Sequence, residues 1–319
     1  MGSLRLFLAI SVLADHTTGI GPLQLAPAST AVWLFFIISG FYMQMIASGK
    51  YGNRIWTFYT NRALRLYPTY FVAAAIAIPN ILPTLPAAPL KFLTIGANTT
   101  LFGGDVLFYL GQHGRLLVPP AWSIGLELWF YLLVPLLARC NFLILLGTMA
   151  ASGALAFHME EIQPWSSYFF FPANFYLFGA GMLAYRSMRC VSESPRPWRS
   201  VIFVVAVAGF ALLVFRPIIP GFRNYAWAQE IVLIASLPFI FATTHLLSWD
   251  RAIGNLSYSV YLLHEPVMSW LGSSPSGIET VAITIPLAVA TYILVERPLD
   301  RWRQKRVRDP AFKASSSAA

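Results

Sequence analysis

Residues 120–158 read PAWSIGLELWFYLLVPLLARCNFLILLGTMAASGALAFH, two long apolar runs that meet at Arg139. Glu127 is the only acidic or basic residue inside either run. A helix needs about 20 mostly apolar residues to cross a bilayer, and each run is close to that length. The stretch therefore predicts two membrane-spanning helices in succession, with one carboxylate inside the first.

The same pattern continues in both directions along the chain. Apolar runs separated by charged residues, Pro and Gly predict an all-α, polytopic integral membrane protein with about ten transmembrane helices. The predicted spans are residues 4–20, 30–48, 66–83, 120–138, 141–158, 170–186, 200–216, 227–246, 256–272 and 279–295. The longest connection, residues 84–119, contains the apolar piece Leu101 to Leu110, which predicts a short re-entrant or surface helix.

The composition of the 319 residues agrees with this class. Hydrophobic residues make up 57% of the chain, charged residues only 11%, and the mean hydropathy is +0.62. Soluble domains carry about a quarter charged residues, so an ordinary soluble enzyme, a disordered protein and a nucleic-acid-binding protein are excluded. The two cysteines, Cys140 and Cys190, have no metal-ligand spacing, and we predict neither a disulfide framework nor a metal site.

The positions of Lys and Arg predict the orientation of the chain, because cytoplasmic loops of membrane proteins are enriched in these residues. With both termini in the cytoplasm, 18 of the 22 basic residues lie on the inner side. The outer side then holds only Lys91, Arg115, Arg216 and Arg223. We predict one membrane-embedded domain over residues 1–308, followed by a flexible cytoplasmic tail over residues 309–319.

Residues 1–14, MGSLRLFLAISVLA, allow a second interpretation of the N-terminus. One Arg, an apolar stretch and small residues resemble a short signal peptide, whose removal would leave nine spans. The first helix can instead continue through Thr17 to Ile20 and so reach spanning length, which favours retention of the segment.

Ionisable residues inside a bilayer are costly, so each one is a functional candidate. Arg5 and His16 lie eleven residues apart in the first span, which places both side chains on one helix face and about 16 Å apart along the axis. Arg5 then lies at the cytoplasmic edge and His16 past the middle of the membrane. The structural alternative is an Arg that reaches the interface and a packed, hydrogen-bonded His. Asp15 points about 100° away, and we assign it no role.

The fourth span is predicted to begin at the outer side of the membrane. Glu127 then lies at a depth similar to that of His16. A carboxylate beside an imidazole fixes the tautomer of the ring and raises its basicity, as acid–base catalysis requires. We therefore predict that His16 and Glu127 form a catalytic pair. A structural pair that holds two helices together is the alternative.

Three further residues are candidates for contact with a donor substrate. Arg62 and Arg65, in NRALRLYP on the second cytoplasmic loop, share a face if that loop is helical, and two guanidinium groups suit phosphate. Topology or anionic lipid is the simpler explanation of two arginines alone. His264, in SYSVYLLHEPV, is predicted nearer the cytoplasm, where it lines a donor passage or packs as a polar residue.

Six sequence pieces occur in the order found in one known family of integral membrane proteins. They are Arg5-x10-His16, FFIISGF at 35–41, RALRLYP at 62–68, WSIGLELWFYLLVP at 122–135, SYSVYLLHEPV at 257–267 and ERP at 296–298. Each piece is weak alone, but together they extend along almost the whole chain. The sequence resembles the acyltransferase family 3 proteins, which O-acylate bacterial surface polysaccharides and related molecules.

The resemblance implies that an acyl group, usually acetyl, moves from cytoplasmic acyl-CoA to an acceptor outside the bacterial inner membrane. Arg62 and Arg65 match the family's donor-binding RxxR motif, His16 matches the residue taken as catalytic, and Arg5 is its partner in the motif. Glu127 matches the carboxylate of an acidic motif. The implied co-substrate is acetyl-CoA or another acyl-CoA, without a permanently bound cofactor or a metal. The implied partners are a carbohydrate acceptor, the lipid bilayer and polysaccharide-synthesis machinery, but no nucleic acid.

These residues predict a mechanism. The CoA phosphates stay at the inner surface, where Arg62, Arg65 and Arg5 bind them, while the pantetheine arm, about 20 Å long, reaches His16. His16 acts as general base oriented by Glu127, or alternatively carries the acyl group transiently. Two other functions stay open: the same chemistry on a macrolide or peptidoglycan sugar, and a glycolipid transporter in which His16 and Glu127 relay protons.

Overall fold

A computed structural model describes residues 1–21, 25–51, 54–81, 83, 91–162, 166–188, 226–272 and 274–308, with a few single positions between 198 and 208. The described secondary structure is helical, without strands. The described residues do not include Cys190, the predicted tail 309–319 or most of the predicted span 200–216. The α-helices are α1 (Gly2–His16), α2 (Ala28–Ile46), α3 (Ile55–Ile81), α4 (Lys91–Thr100), α5 (Gly104–Tyr109), α6 (Ala121–Leu137), α7 (Phe142–Ile162), α8 (Ser166–Phe169), α9 (Phe171–Arg186), α10 (Ala226–Thr244), α11 (Ser248–Leu271), α12 (Gly277–Thr291) and α13 (Arg297–Arg308).

Seven of the predicted spans are helices with nearly the predicted bounds. Helices α1, α2, α6, α7, α9, α10 and α12 begin and end within about four residues of the positions expected from the apolar runs. Three helical stretches are long and apolar enough to cross a membrane: Ala28–Gly49, Phe142–Ile162 and Gly277–Lys305. The short helix expected within residues 101–110 is also confirmed, as α5.

Helix α7 shows the surface that suits a lipid environment. Only Leu145 and Ser152 are buried along its 21 residues, whereas Phe142, Leu143 and Phe157 each expose more than half of their surface. Hydrocarbon accepts such a face without cost, and the helix satisfies its own backbone hydrogen bonds.

Helices α1 and α11 run parallel and position the residues of the site. Gly2 and Gly254 let the two backbones touch at one end, since a Cβ on Gly254 would lie 2.4 Å from the Cα of Gly2. At the other end, His16 of α1 lies beside His264 of α11. Small residues at a helix crossing permit this close approach in membrane proteins.

Helices α2 and α9 form a second close pair, which is antiparallel. A Cβ on Gly40 would lie 2.0 Å from the carbonyl oxygen of Phe178, and one on Gly181 would lie 1.9 Å from that of Ile37. The stacked rings of Phe36 and Phe178, with centroids 4.8 Å apart, fill the space beside the crossing. Helix α2 of this pair contributes side chains to the cavity described below.

Two helices begin earlier than the sequence predicts. Helix α3 begins at Ile55 and continues through Pro68, so Arg62 and Arg65 lie within a helix and not on a loop. Neighbouring helices and local adjustments let a membrane helix tolerate an internal Pro. Helix α11 begins at Ser248, eight residues before the predicted span 256–272, because Asp250 in its first turn accepts hydrogen bonds from the start of α1.

The first helix ends earlier than the predicted residue 20. Thr17 is extended (φ −116°, ψ −172°), and Gly19 has a φ of +89°, a left-handed conformation that Gly adopts without strain. His16 is therefore the last residue of α1 and lies at the C-terminal end of this helix, not four residues before it as the predicted span 4–20 implied.

Candidate active site

A cavity of about 340 Å³ lies among α1, α2, α3, α6, α11 and α13. Its charged lining residues are Arg5 from α1, Arg62 and Arg65 from α3, Glu127 from α6, and Asp300 and Arg303 from α13. The four guanidinium groups outnumber the two carboxylates, so the cavity favours an anion. It brings together all three predicted donor-binding arginines and Glu127, while His16 and His264 do not line it.

Ion pairs hold one side of this lining in place. Nη1 of Arg65 lies 3.7 Å from a carboxylate oxygen of Glu296 and 3.7 Å from one of Asp300. Asp300 also pairs with Arg303, at 2.6 Å, and Arg303 donates to the carbonyl oxygen of Asn61. These contacts hold helix α13 against α3 and place the charged groups of Asp300 and Arg303 in the cavity wall.

The other two arginines keep unused donors. Nε of Arg5 and Nε of Arg62 are buried without a hydrogen-bond partner among the described residues. Their guanidinium groups lie over aromatic rings, Arg5 over Tyr42 at 5.4 Å and Arg62 over Phe58 at 5.9 Å. Buried donors without partners are costly, and a charged acceptor such as phosphate would satisfy them.

The predicted pairing of Glu127 with His16 is wrong. Oε2 of Glu127 accepts a hydrogen bond from the hydroxyl of Tyr131, 2.8 Å away, and the carboxylate faces the cavity, as Arg62 does. The depth estimate placed His16 at a similar level, but His16 lies at the very end of α1. Sequence spacing gives the face and rise of each residue along its own helix, but not the rotation of one helix against another.

His16 instead joins two consecutive residues of α11. Its Nδ1 atom lies 3.0 Å from Nε2 of His264 and 3.1 Å from Oε1 of Glu265. About a third of the His16 side chain is exposed (34%), whereas His264 is completely buried. We refer to His16, His264 and Glu265 as the histidine cluster.

The predicted depth of His264 is also wrong. Because α11 begins at Ser248, His264 follows 16 residues of helix and lies about 24 Å along the axis. It is thus level with His16 along the paired helices α1 and α11 and not at a different depth. His264 contacts His16 directly and does not line the arginine-lined cavity.

Tyr261 connects the cavity with the histidine cluster. Its side chain lines the cavity, where its hydroxyl lies 2.8 Å from Oγ of Ser123 and its ring lies 5.9 Å from that of Phe35. Its carbonyl oxygen lies 2.7 Å from Nδ1 of His264. Tyr261 therefore lies between the cavity and the histidine cluster and contacts both.

Sequence reasoning missed Glu265 and Arg303. Glu265 stands next to His264 in a quoted motif, so its charge within a predicted span was a usable signal. Arg303 belongs to a basic segment that indicated only membrane orientation, and nothing in the sequence places it beside Arg65. Asp15, to which no role was assigned, accepts a hydrogen bond from the amide of Ala28 and so supports the start of α2.

The histidine cluster has the composition of a possible metal site, with ligand atoms within 4.8 Å of one another. Both of its short contacts, however, use the same atom, Nδ1 of His16, and both are of hydrogen-bond length. The other nitrogen of His264 already faces a carbonyl oxygen. We interpret the cluster as a proton-sharing network.

Comparison with known proteins relates the chain to acyl-transferring proteins. The family described as acyltransferase domain matches residues 2–295. The chain is 24% identical to BcsY of Komagataeibacter xylinus, whose name describes a membrane-bound transacylase, over 83% of this chain and 74% of that protein. It is 23% identical to nodulation protein 10 of Rhizobium leguminosarum bv. viciae, over 95% and 94% of the two chains. It is 24% identical to the exopolysaccharide production protein ExoZ of Rhizobium meliloti, over 88% and 92%. No solved structure matches the chain.

Proposed function

Because the chain belongs to the acyltransferase domain family, we propose that it is a transmembrane O-acyltransferase. It moves an acyl group, most simply acetyl, from cytoplasmic acyl-CoA to a hydroxyl of an extracytoplasmic polysaccharide or lipid-linked sugar. The observation that carries this proposal is the arginine-lined cavity. Arg5 in its lining and His16 belong to the same helix, α1.

The proposed topology has ten spans, with both termini in the cytoplasm of a bacterial cell and the protein in its inner membrane. Support comes from the distribution of Lys and Arg and from the three apolar helices of spanning length. In this orientation Arg5, Arg65 and Arg303 face the cytoplasmic side, and the exposed edge of His16 faces outward.

The donor's anionic end binds at the arginines. CoA carries phosphates that cannot enter hydrocarbon, and guanidinium groups bind phosphate with charge-assisted, often bidentate hydrogen bonds. The Nε atoms of Arg5 and Arg62, which have no hydrogen-bond partner in the described part of the chain, support this role, as do the positions of Arg65 and Arg303 in the same lining.

The uncharged arm of the donor spans the distance to His16. Arg5 and His16 are eleven residues apart on α1, which corresponds to about 16 Å along the axis. An extended pantetheine arm is about 20 Å long on the scale of extended peptide chains. The thioester passes Tyr261 and Ser123, whose hydroxyls hydrogen-bond to each other at the cavity wall.

His16 supplies the acid–base chemistry. The acceptor hydroxyl oxygen attacks the thioester carbonyl carbon while His16 takes the hydroxyl proton. The carbon–sulfur bond then breaks, and His16 returns the proton to the leaving thiolate of CoA. General base catalysis of this kind contributes about 10²–10⁴-fold. In the alternative mechanism His16 attacks the thioester itself and carries the acyl group to the acceptor.

The class of acceptor is inferred from the relatives and from the outward edge of His16. ExoZ is named for exopolysaccharide production, and BcsY for transacylation in a membrane. A glycan hydroxyl on the outer side fits both names.

The test is transfer of radiolabelled acetyl from acetyl-CoA to a surface polysaccharide by the purified protein in lipid nanodiscs. We expect wild type to label the glycan and His16→Ala to lose at least about 10²-fold of this activity. His158→Ala changes an exposed imidazole on α7 and is the matched control, with unchanged activity. Full transfer by His16→Ala, or movement of unmodified glycan without use of acetyl-CoA, would reject the proposal.

A further inference from the structure

The three side chains of the histidine cluster meet because α1 ends beside the last third of α11. His264 and Glu265 are adjacent in sequence, yet both reach Nδ1 of His16, at 3.0 and 3.1 Å. His264 is buried, and Glu265 exposes about a quarter of its side chain (26%). Nδ1 of His16 therefore already has two partners within the protein, His264 and Glu265.

The hydrogen bonds decide where the protons lie. Nδ1 of His264 is 2.7 Å from the carbonyl oxygen of Tyr261, and a carbonyl only accepts, so this nitrogen carries a proton. A fully buried ring is neutral, since burial disfavours charge, and Nε2 of His264 must accept. Nδ1 of His16 then donates to Nε2 of His264 and to Oε1 of Glu265. The free lone pair of His16 belongs to Nε2.

From this network we propose that Glu265 is the positioning residue of the reaction, an inference that rests on the proposed acyl transfer. Its carboxylate holds His16 in the tautomer whose Nε2 takes the acceptor proton. It also stabilises the positive imidazolium that forms when Nε2 is protonated. This is the role that the sequence assigned to Glu127, which instead stays with the donor cavity.

No other acid takes this position among the residues that the structure describes. Asp15 precedes His16 in α1 but accepts a hydrogen bond from the amide of Ala28. Glu279, in the first turn of α12, is exposed. Glu265 is the only described carboxylate with an oxygen within 4.0 Å of a nitrogen of His16.

The test compares the kinetics of acetyl transfer in Glu265→Gln, Glu265→Asp and Glu265→Ala. Glu265→Gln keeps an oxygen acceptor but removes the charge, and we expect kcat to fall about 10²-fold. The KM for acetyl-CoA should change less than about twofold, because the donor cavity is untouched. Glu265→Asp should recover part of kcat, and Glu265→Ala should be the slowest. A merely structural residue would not separate kcat from KM in this way or respond to the shorter carboxylate.

Glu279→Gln removes a charge on a neighbouring helix and is the matched control, with unchanged kcat and KM. If His16→Ala is inactive but Glu265→Gln has wild-type kcat, this inference fails while the proposed function stands. If His16→Ala stays active, the proposed function itself fails. One equivalent of tightly bound transition metal in the purified protein, lost in Glu265→Gln, would also overturn the inference, because a metal on Nδ1 would replace the proton.

Discussion

Replacement of Arg62 gives the most direct test of the proposed donor binding. Its Nε atom is buried in the cavity lining without a partner among the described residues, so a bound phosphate supplies what the protein does not. A hydrogen bond to a charged group contributes about 1.5–3 kcal/mol. We expect Arg62→Ala to raise the KM for acetyl-CoA by about 10–100-fold, with a smaller change in kcat, as measured by steady-state kinetics.

Arg251→Ala is the control for the loss of one positive charge. Arg251 lies in the first turn of α11, is exposed and donates to the carbonyl oxygen of His245, outside the cavity lining. The KM of Arg251→Ala for acetyl-CoA should stay within about twofold of the wild-type value. Equal KM values for both variants would show that total charge, and not the cavity, attracts the donor.

The identity of the key side chains could be predicted from the sequence better than their partners. The cost of charge in a bilayer singles out Arg5, His16 and Glu127, and the spacing of Arg62 and Arg65 predicts a shared face. The partner of His16 depends on how α1 and α11 are rotated against each other. That rotation depends on contacts such as Gly2 with Gly254, 252 positions away in the chain.

At the scale of helices, the pair α2 and α9 depends on two glycines. A Cβ on Gly181 would lie 1.9 Å from the carbonyl oxygen of Ile37, and backbone cannot move aside as a side chain can. Overpacking costs about 1–3 kcal/mol. We expect Gly181→Ala to lower the apparent Tm in detergent by several degrees and to reduce activity in proportion to the folded fraction.

Gly153→Ala on α7 is the matched control, since a Cβ there meets nothing within 4 Å. Ala is the better helix former, so this variant should be as stable as wild type or slightly more stable. Equal Tm values for Gly181→Ala and wild type would contradict the packing of α2 on α9.

The contact between α1 and the start of α11 predicts a dependence of stability on pH. Burial raises the pKa of the Asp250 carboxyl, but hydrogen bonds from the Met1 amino group, Ser3 and Gly2 outweigh it and hold the pKa well below its usual range. The unfolded chain titrates near pH 3.9. The stabilisation is therefore complete above about pH 5 and is lost as the pH falls through and below 4.

Thermal unfolding in detergent between pH 7 and pH 3 measures this contribution. Asp250→Asn should lower the apparent Tm at pH 7, because charged hydrogen bonds of about 1.5–3 kcal/mol each weaken. The difference from wild type should stay nearly constant down to about pH 4 and shrink between about pH 4 and pH 3. A difference that stays constant with pH would show that the carboxylate charge is not what stabilises the contact.

The helices themselves could be predicted from apolar length, but some of their ends could not. Apolar runs give the bounds of α2, α6, α7, α9, α10 and α12 within about four residues, because a spanning segment must hydrogen-bond internally. The start of α11 depends instead on a tertiary contact, that of Asp250 with the first residues of α1. Extended Thr17 ends α1 where apolar composition alone would let it continue.

Across the whole molecule, α1 connects the two parts of the site, which the proposed topology places towards opposite sides of the membrane. Arg5 lines the arginine-lined cavity near one end of the helix, and His16 is its last residue at the other. In the proposed reaction, donor and acceptor therefore meet without the charged end of the donor crossing the bilayer. This arrangement works only if the end of α11 that holds Arg251 faces the cytoplasm.

Labelling of single cysteines in intact cells tests this orientation. Cys140 and Cys190 are replaced by Ser, and Cys is introduced at one of two exposed positions, Ser274 near the His16 end or Arg251 near the Met1 end. A membrane-impermeant maleimide should label Ser274→Cys in intact cells, and Arg251→Cys only after the membrane is opened, because the reagent cannot cross hydrocarbon. Both variants should label after permeabilisation, which controls for access. The reverse pattern would place the arginine-lined cavity on the outer side of the inner membrane, away from the cytoplasmic CoA pool, and would reject the proposed direction of transfer.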